Sequence, residues 1–367
     1  MTNDLRPYAG DVTDVRLVAT LKRPGPFNRL WQPVIEIWQS GHLLVAYGQH
    51  LTGKVDMGDI VCAISTDIGD RWEEPVTIFD HRVGLGPLRV AYANPVLYHP
   101  PGQDAVWCFA MRCPLHYRDS EDSQLCAAYS ADGGRSWQPV ELAVDYHSPI
   151  ITCAGIVPVT RSAGMRYLLP VHRNTLRHDP QGSQDQLVLE SSNLLEWKLA
   201  GYVPHPATGK VFMHEGNIAA GDAAGELKIV MRTATYGRDN KALEPPTAYS
   251  SISADGGRTW SPGQPEPALH NTVSKAYFGQ DANGSHVYIF STGPARQRMG
   301  LGYKMQRPGD DWGDERVFYD AGVRNSYPTL LEYEPGCFYA VWDSSDSPDV
   351  PRTAIRFGKF NPVDPDL

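Results

Sequence analysis

Ionisable and aromatic residues recur at the ends of short apolar runs along this chain, where hairpin ends would usually be richer in Gly, Ser and Asn. Arginines can bind carboxylates through paired hydrogen bonds, while carboxylates, histidines and tyrosines can transfer protons. If the runs are strands of antiparallel sheets, one set of their ends shares a face of the molecule where a funnel can converge. The candidate positions on that face are Trp31, Gln32, His50, Asp59, Asn94, Arg112, His172, Arg173, His214, Glu215, Arg232, Arg298, Tyr327, Asp343 and Arg352.

An eight-residue phrase occurs three times and marks the elements that must position these side chains. It reads STDIGDRW at 65–72, SADGGRSW at 130–137 and SADGGRTW at 253–260. Each copy lies between two apolar runs, a pattern typical of a hairpin turn. We expect the Asp to accept turn N–H bonds, the Gly to adopt positive φ and the Trp to bury a large face against the next unit. Degenerate copies end at Trp197 and Trp312, so the tryptophans recur at intervals of roughly sixty residues.

This period is typical of a four-stranded propeller blade with long loops, and six such blades fit 367 residues. The sequence therefore predicts an all-β fold, a single six-bladed β-propeller domain over residues 1–367. The sixth blade lacks a fourth strand before the chain ends, so we expect residues 15–21 to complete it beside residues 353–358. A two-sheet sandwich with recurrent turns is the alternative. The predicted strands are 33–38, 43–47, 60–65 and 76–79 in the first blade, with later inner strands beginning near Asn94, Ile150, Glu215, Ala276 and Tyr327.

Composition limits the partners of the protein. The net charge of −9 argues against nucleic acid or an anionic membrane surface, although a local basic pocket can still bind an anionic sugar. No apolar leader and no run of membrane-spanning length is present in the sequence, from which we expect a cytoplasmic protein. The six cysteines form no Cys-x-x-Cys pair and no residues are spaced as a ligand set, so we expect buried thiols and no metal or cofactor.

The repeated phrase resembles the Asp box, or BNR repeat, of the sialidase (neuraminidase) superfamily, and the likeness covers nearly the whole chain. Members of that superfamily are six-bladed propellers. Matched by position relative to the repeats, the resemblance implies a general acid at Asp59, a Glu base at Glu215 and a nucleophile at Tyr327. It also implies that Arg232 and Arg298 bind the carboxylate of the sugar.

The chemistry of such a site explains why each of these residue types is suitable. A carboxylate on the anomeric carbon repels a carboxylate nucleophile, so a neutral phenol activated by a neighbouring Glu is a suitable attacking group. The Asp protonates the leaving oxygen. The resemblance thus implies a retaining exo-glycosidase that removes a terminal acidic sugar from small glycans.

The chain departs from the sialidase pattern in its first blade. Sialidases open this blade with Arg-Ile-Pro, whereas this chain has Trp31-Gln32-Pro33, so Trp31 replaces the first of three carboxylate-binding arginines. Trp31 is suited to stacking on a sugar face, and Arg29, Arg112 or Arg173 could supply the missing guanidinium. The predicted substrate-binding residues, besides Arg232 and Arg298, are Trp31, Gln32, His50, Arg112, His172, Arg173 and His214.

Other interpretations of the same residues stay open. Tyr327 precedes a proline and is compatible with packing alone, and Glu215 with Arg232 is compatible with a simple ion pair. The histidines suit a polysaccharide or uronate lyase, in which a His or Tyr moves the proton and arginines neutralise a uronate. A third hypothesis is a carbohydrate-binding propeller without catalysis.

Overall fold

The structure is a computed structural model that describes residues 7–22, 28–51, 58–82, 90–114, 123–147, 150–175, 184–237, 241–295, 297–345 and 352–362. These residues form 26 β-strands in six sheets that follow one another along the chain. The first strand is β1 (Val12–Thr20). Blade 1 contains β2 (Arg29–Gln39), β3 (His42–His50), β4 (Asp59–Ser65) and β5 (Val76–Phe79). Blade 2 contains β6 (Val90–Tyr98), β7 (Val106–Pro114), β8 (Gln124–Ser130) and β9 (Gln138–Val140).

The remaining blades continue the series. Blade 3 contains β10 (Ala143–Asp145), β11 (Ile151–Thr152), β12 (Val157–Arg161), β13 (Gly164–Asn174), β14 (Gln184–Ser191) and β15 (Glu196–Tyr202). Blade 4 contains β16 (Val211–Ala220), β17 (Leu227–Thr235), β18 (Thr247–Ser253) and β19 (Gln264–His270). Blade 5 contains β20 (Tyr277–Gln280), β21 (His286–Ser291), β22 (Leu301–Gln306) and β23 (Arg316–Tyr319). Blade 6 contains β24 (Asn325–Glu334), β25 (Cys337–Ser344), β26 (Ala354–Phe360) and the first strand, β1.

Strand β1 closes the ring, as the sequence predicts. It pairs antiparallel with β26, with Leu17 opposite Arg356 and Thr20 opposite Ala354. The two ends of the described chain therefore share one sheet, and the six-bladed propeller is confirmed. Among the described residues, no helix has the length and apolarity that crossing a membrane requires.

The apolar cores lie between neighbouring blades. Strand β4 is buried along its whole length, because both faces of a blade are covered by the blades beside it. Between blades 6 and 1, the side chains of Tyr47, Val61, Val341 and Phe357 pack into one cluster. Because the middle strands are covered on both faces, their sequences are expected to be continuously apolar.

The Asp-box turns have the predicted hydrogen bonds. Ser65 Oγ accepts the N–H of Gly69 at 2.8 Å, and Asp67 Oδ1 accepts the N–H of Arg71 at 2.9 Å. Gly69 has a φ of 87°, in the left-handed region that a glycine adopts without strain. The tryptophan packs on the preceding blade and not, as expected, on the next one: the Trp72 ring lies 5.5 Å from that of Phe357 in blade 6.

Blade 3 differs from the expected four-strand pattern. Its inner edge, predicted as one strand from Ile150, consists of β11 and β12, which pair separately with β13. Between them the chain leaves the ladder at 153–156, and Cys153 Sγ donates to Pro170 O at 3.1 Å. An additional short strand, β10, pairs parallel with β15.

Four inner strands share a bulge near their beginning. The pairing register shifts at this point in β2, β6, β16 and β24. A non-glycine residue with positive φ sits in each bulge, followed by Pro or Gly, and these residues are Gln32 (φ 55°), Asn94 (φ 55°), Glu215 (φ 50°) and Tyr327 (φ 53°). Bulges of this kind redirect a side chain out of the alternating pattern of the strand.

Candidate active site

A hydrogen-bonded group formed by blades 4 and 6 is the centre of the candidate site. The Tyr327 hydroxyl donates to Glu215 Oε1 at 3.1 Å. Arg232 Nη1 donates to Glu215 Oε2 at 2.7 Å and to the Tyr327 hydroxyl oxygen at 3.4 Å. All three residues are buried. The expected hydrogen bond between Glu215 and Tyr327 is therefore present, and so is the ion pair of Glu215 with Arg232.

The bulges explain why these side chains meet. Glu215 and Tyr327 occupy equivalent bulge positions in β16 and β24, although 112 residues separate them in the chain. Positive φ costs a non-glycine residue free energy, and such strain concentrates at functional sites. Each of these bulges thus directs one side chain inward. The residue type at the bulge decides what chemistry that side chain can perform.

Charge sets the protonation of the central pair. Burial raises the pKa of Glu215, but the positive charges of Arg232, His172 and Arg298 outweigh it and lower the pKa to about 2. Burial raises the pKa of Tyr327, and the Glu215 carboxylate raises it further against the effect of the arginines. Near neutral pH the pair therefore consists of a carboxylate and a neutral phenol, which are the states that a base and an unactivated nucleophile require.

Two more arginines lie beside Tyr327. The Arg298 guanidinium carbon is 5.2 Å from the centre of the Tyr327 ring, and Arg298 Nη2 donates to Val273 O at 3.1 Å. Arg298 Nη1 is buried and has no hydrogen-bond partner among the described residues. The Arg352 guanidinium carbon is 3.6 Å from the centre of the Trp31 ring and 5.9 Å from that of Tyr327. The sequence placed Arg352 on this face but did not identify it as a binding residue.

Trp31 does not offer the open stacking face expected from the sequence. It is 5% exposed, and the Arg352 guanidinium covers its ring. The rings of Trp31 and Tyr327 are nearly perpendicular, with centres 5.4 Å apart, and the centre of the His50 ring lies 5.9 Å from that of Trp31. Trp31 therefore supports neighbouring side chains. Gln32 also has a supporting role, because its Oε1 accepts the backbone N–H of Asn94 in blade 2 at 3.0 Å.

Asp59 lies at the start of β4 and is bound on one oxygen. Its Oδ1 accepts the backbone N–H of His81 at 2.7 Å and lies 2.5 Å from His81 Nδ1. Asp59, Asp80 and His81 bring three possible ligand atoms within 4.8 Å of one another, but Arg82 already pairs with Asp80 at 2.7 Å. In the part of the chain that the structure describes, no hydrogen bond or ion pair of Asp59 reaches Glu215 or Tyr327.

Two predicted arginines are engaged within their own blades. Arg112 Nη2 donates to Gln124 Oε1 at 2.5 Å. Arg173 Nε donates to Asp185 Oδ2 at 2.6 Å, and Asp185 Oδ1 lies 3.1 Å from His205 Nε2. Among the described residues, no hydrogen bond or ion pair joins either arginine to Tyr327.

The histidines divide between the two sides of the site. The rings of His172 and His214 are 4.9 Å apart, and the charge of His172 acts on Glu215. His50 is fully buried against Trp31. His172 and His214 therefore belong to the central group, while His50 lies behind it.

Two buried charged residues near the central group, Lys275 and Asp343, were not predicted as catalytic or binding residues, although the sequence placed Asp343 on this face. Lys275 lies two residues before β20, and burial lowers its pKa although Glu215, Cys153 and Asp343 oppose that shift. Burial raises the pKa of Asp343, which accepts the Ser326 hydroxyl at 2.5 Å. Lys275 directly precedes Ala276, where the sequence predicts the opening of an inner strand, and this position was the signal that could have identified it.

Comparisons with known proteins agree with this architecture. A sequence profile of the BNR repeat-like domain matches residues 41–340. No curated protein sequence matches the chain. Among solved structures, the intramolecular trans-sialidase from Ruminococcus gnavus in complex with oseltamivir carboxylate has 13% identity and a TM-score of 0.69, with 97% of this chain and all of that chain covered.

Two further structures have the same fold. The NanB sialidase from Streptococcus pneumoniae has 12% identity and a TM-score of 0.67, with 95% of this chain and 70% of that chain covered. A protein of unknown function from Dyadobacter fermentans has 16% identity and a TM-score of 0.66, with 94% and 98% covered. The chain therefore belongs to the BNR repeat-like domain family and has the six-bladed propeller fold of the sialidases.

Proposed function

We propose that this protein is a retaining exo-glycosidase of the sialidase type that cleaves a terminal acidic sugar from small glycans. The observation that carries the proposal is the hydrogen bond from Tyr327 to Glu215, with Arg232 bound to both. A phenol beside an ionised carboxylate is a nucleophile with its base in place. The structural neighbours named as sialidases support a glycan substrate.

The reaction would proceed in two displacements. The Tyr327 oxygen attacks the anomeric carbon while Glu215 accepts the phenolic proton, and Asp59 gives a proton to the oxygen of the leaving glycan. Water then attacks the same carbon, giving its proton to Asp59, and the tyrosine leaves and recovers its proton from Glu215. Two inversions give net retention.

Arginines would bind the sugar carboxylate and prepare the base. Within the described part of the chain, Arg298 has a buried N–H without a partner beside the Tyr327 ring, so it can donate to an incoming carboxylate. That anion would offset part of the positive charge that holds the Glu215 pKa near 2. The pKa of Glu215 would then rise, and the carboxylate would become a better proton acceptor when substrate is bound.

A lyase is the second candidate, because His172 and His214 lie together beside Glu215. In a lyase a histidine would remove the proton next to a uronate carboxylate, and the product would contain a double bond. In a binding protein without catalysis, Asp59→Ala would leave glycan binding intact and there would be no turnover to lose.

A panel of chromogenic sialosides and uronides, assayed with Tyr327→Phe, tests the proposal. We expect hydrolysis of an acidic glycoside with retained configuration, no product absorbing in the near ultraviolet, and a loss of turnover on the order of 10³-fold or more in the variant. Tyr303→Phe is the matched control, because this buried tyrosine donates to Asp11 in a different part of the fold. Formation of an unsaturated sugar, or turnover that survives Tyr327→Phe, would overturn the proposal.

A further inference from the structure

The side chain of Asp59 is held by the turn that follows β5. Strands β4 and β5 are antiparallel, with Ile60 opposite Phe79, so the start of β4 and the residues after β5 lie side by side. The backbone N–H of His81 donates to Asp59 Oδ1 at 2.7 Å, and His81 Nδ1 lies 2.5 Å from the same oxygen. Within the described part of the chain, one residue therefore makes both polar contacts of this carboxyl group.

The surroundings of this pair fix its geometry. The neighbouring Asp80 carboxylate is bound by Arg82, whose Nε and Nη2 donate to it at 2.9 Å and 2.7 Å. Gly58, the residue before Asp59, exchanges two backbone hydrogen bonds with Tyr92 of blade 2, at 2.9 Å and 3.1 Å. The side chains of Asp59 and His81 are only 10% and 20% exposed, and shielding from water strengthens a hydrogen bond.

The two oxygens of Asp59 have different environments. Both contacts with His81 are made by Oδ1, and no hydrogen bond or ion pair with a described residue reaches Oδ2. An oxygen that accepts two N–H groups is a poor place for a proton, so a protonated Asp59 carries its proton on Oδ2. This arrangement assigns the proton of the neutral imidazole to Nδ1, from which His81 donates to Oδ1.

We infer that His81 is the positioning residue of the proton donor, which orients Asp59 and stabilises the charge that Asp59 acquires. This inference rests on the proposed function, in which Asp59 is the general acid. When the bond to the leaving glycan breaks, its electron pair stays on the leaving oxygen, and the proton on Oδ2 moves to that oxygen. Two N–H donors at Oδ1 stabilise the carboxylate that remains. In the second displacement water returns a proton to Oδ2, and His81 keeps its own proton throughout.

Two glycosides of the same acidic sugar, one with an alkyl and one with a nitrophenyl leaving group, test this role. His81→Ala should lower kcat/KM about 10- to 10²-fold for the alkyl glycoside, because a hydrogen bond to a charged group is lost. The loss should be less than about threefold for the nitrophenyl glycoside, which needs little help from an acid. His81→Asn should recover most of the activity, because its amide can donate to Oδ1 from nearly the position of Nδ1.

A double-mutant cycle separates positioning from a purely structural contribution. In the Asp59→Asn background, His81→Ala should cost less than about threefold more with either glycoside, because the carboxyl group through which His81 acts is gone. Arg82→Gln is the control: it removes the pair with Asp80 from the same turn and leaves the contacts of Asp59 in place. It should leave kcat/KM for both glycosides unchanged.

The outcomes distinguish this inference from the proposed function. An equal loss with both glycosides in His81→Ala, no recovery in His81→Asn, or an independent loss in the Asp59→Asn background would overturn the role of His81 and leave the proposed function standing. If Asp59→Asn itself lost the same activity toward both glycosides, proton donation by Asp59 would be wrong, and the role of His81 would fail with it.

Discussion

At the scale of single residues, the account depends on one carboxylate and the charges around it. Glu215 stays ionised although it is buried, because Arg232 donates to its Oε2 at 2.7 Å. Tyr327 stays protonated because burial and the same carboxylate both raise the pKa of its hydroxyl. The arginines therefore stabilise the ionised form of Glu215, whereas burial and the Glu215 carboxylate keep Tyr327 neutral against the opposing effect of the arginines.

Glu215→Gln should lower the free energy of unfolding near neutral pH. It should also reduce the loss of stability that the wild-type protein shows as the pH falls. The pKa of Glu215 in the folded protein, about 2, lies below its value of 4.5 in an unfolded chain. Its stabilising effect is therefore fully present above pH 4.5 and is lost as the pH falls toward 2. We expect the variant to unfold with a free energy about 3 kcal/mol lower at neutral pH, because Arg232 is left buried without its counter-ion.

Urea denaturation at pH 7 and pH 3 measures this effect, with Glu73→Gln as the control. Glu73 forms an exposed pair with Arg135, so its loss should cost less than about 1 kcal/mol. If both variants lost the same stability, or if the difference between Glu215→Gln and wild type did not shrink at pH 3, the assigned protonation of Glu215 would be wrong.

Asp59→Asn should affect substrates according to their leaving groups. A general acid matters most when the leaving oxygen is strongly basic. We expect kcat/KM to fall about 10²- to 10⁴-fold for an alkyl glycoside and less than about tenfold for a nitrophenyl glycoside. Asp104→Asn, at an exposed turn, is the control. Equal losses with both leaving groups would contradict a proton-donating role for Asp59.

At the scale of elements, two local structural features position the site. The Asp-box turns join the outer strands, and the bulges in β2, β6, β16 and β24 direct one side chain each from the inner strands. The turn depends on short-range hydrogen bonds, such as Ser130 Oγ accepting the N–H of Gly134 at 2.8 Å. The Asp-box turns and the bulges lie in different parts of each blade. We therefore expect that a turn can be weakened without displacing Tyr327.

Ser130→Ala should therefore lower stability without affecting catalysis. The buried Ser130 hydroxyl also donates to Asp132 Oδ1 at 2.8 Å, and its removal leaves the N–H of Gly134 without an acceptor. We expect a loss of about 1–2 kcal/mol in chemical denaturation, with unchanged kcat/KM. Ser136→Ala removes an exposed hydroxyl from the same turn and should cost less. A change in kcat/KM with Ser130→Ala would show that turn and site are coupled.

The features that a local sequence pattern determines could be predicted from the sequence. The contacts that depend on packing between distant residues could not. The spacing of the Asp boxes gave the blades because each turn is built within a few residues, and Glu215 and Tyr327 followed from their places at strand openings. The stacking of Arg352 on Trp31 joins the last blade to the first, so no local pattern contains it. Arg112 and Arg173 bind partners across their own blades, and that pairing was invisible without the strand register.

At the scale of the whole molecule, closure of the ring holds the bulges of blades 1 and 6 in place. Strand β1 contributes Val15 to the cluster between blades 5 and 6, and Thr329 Oγ1 donates to Pro33 O across blades 6 and 1 at 3.0 Å. We propose that residues 1–367 act as one domain, because the first described strand completes the last sheet. The Trp31 and Tyr327 rings meet across this closure.

Val15→Asp should open the ring. Val15 is 2% exposed, and an unpaired carboxylate in this cluster would destabilise the fold by several kcal/mol, about 3 or more. Thr13→Asp, at an exposed position of the same strand, should be nearly neutral. Chemical denaturation with size-exclusion chromatography measures both. Equal stability of the two variants would contradict a structural role for β1 in closure.

Covalent trapping of Tyr327 tests the central claim most directly. A fluorinated acidic glycoside with a good leaving group slows the second displacement more than the first, so the intermediate accumulates. Mass spectrometry of the digested protein should locate the sugar on the peptide that contains Tyr327, and Tyr327→Phe should give no adduct. Turnover of the parent glycoside without any adduct, accompanied by an unsaturated product, would contradict the account.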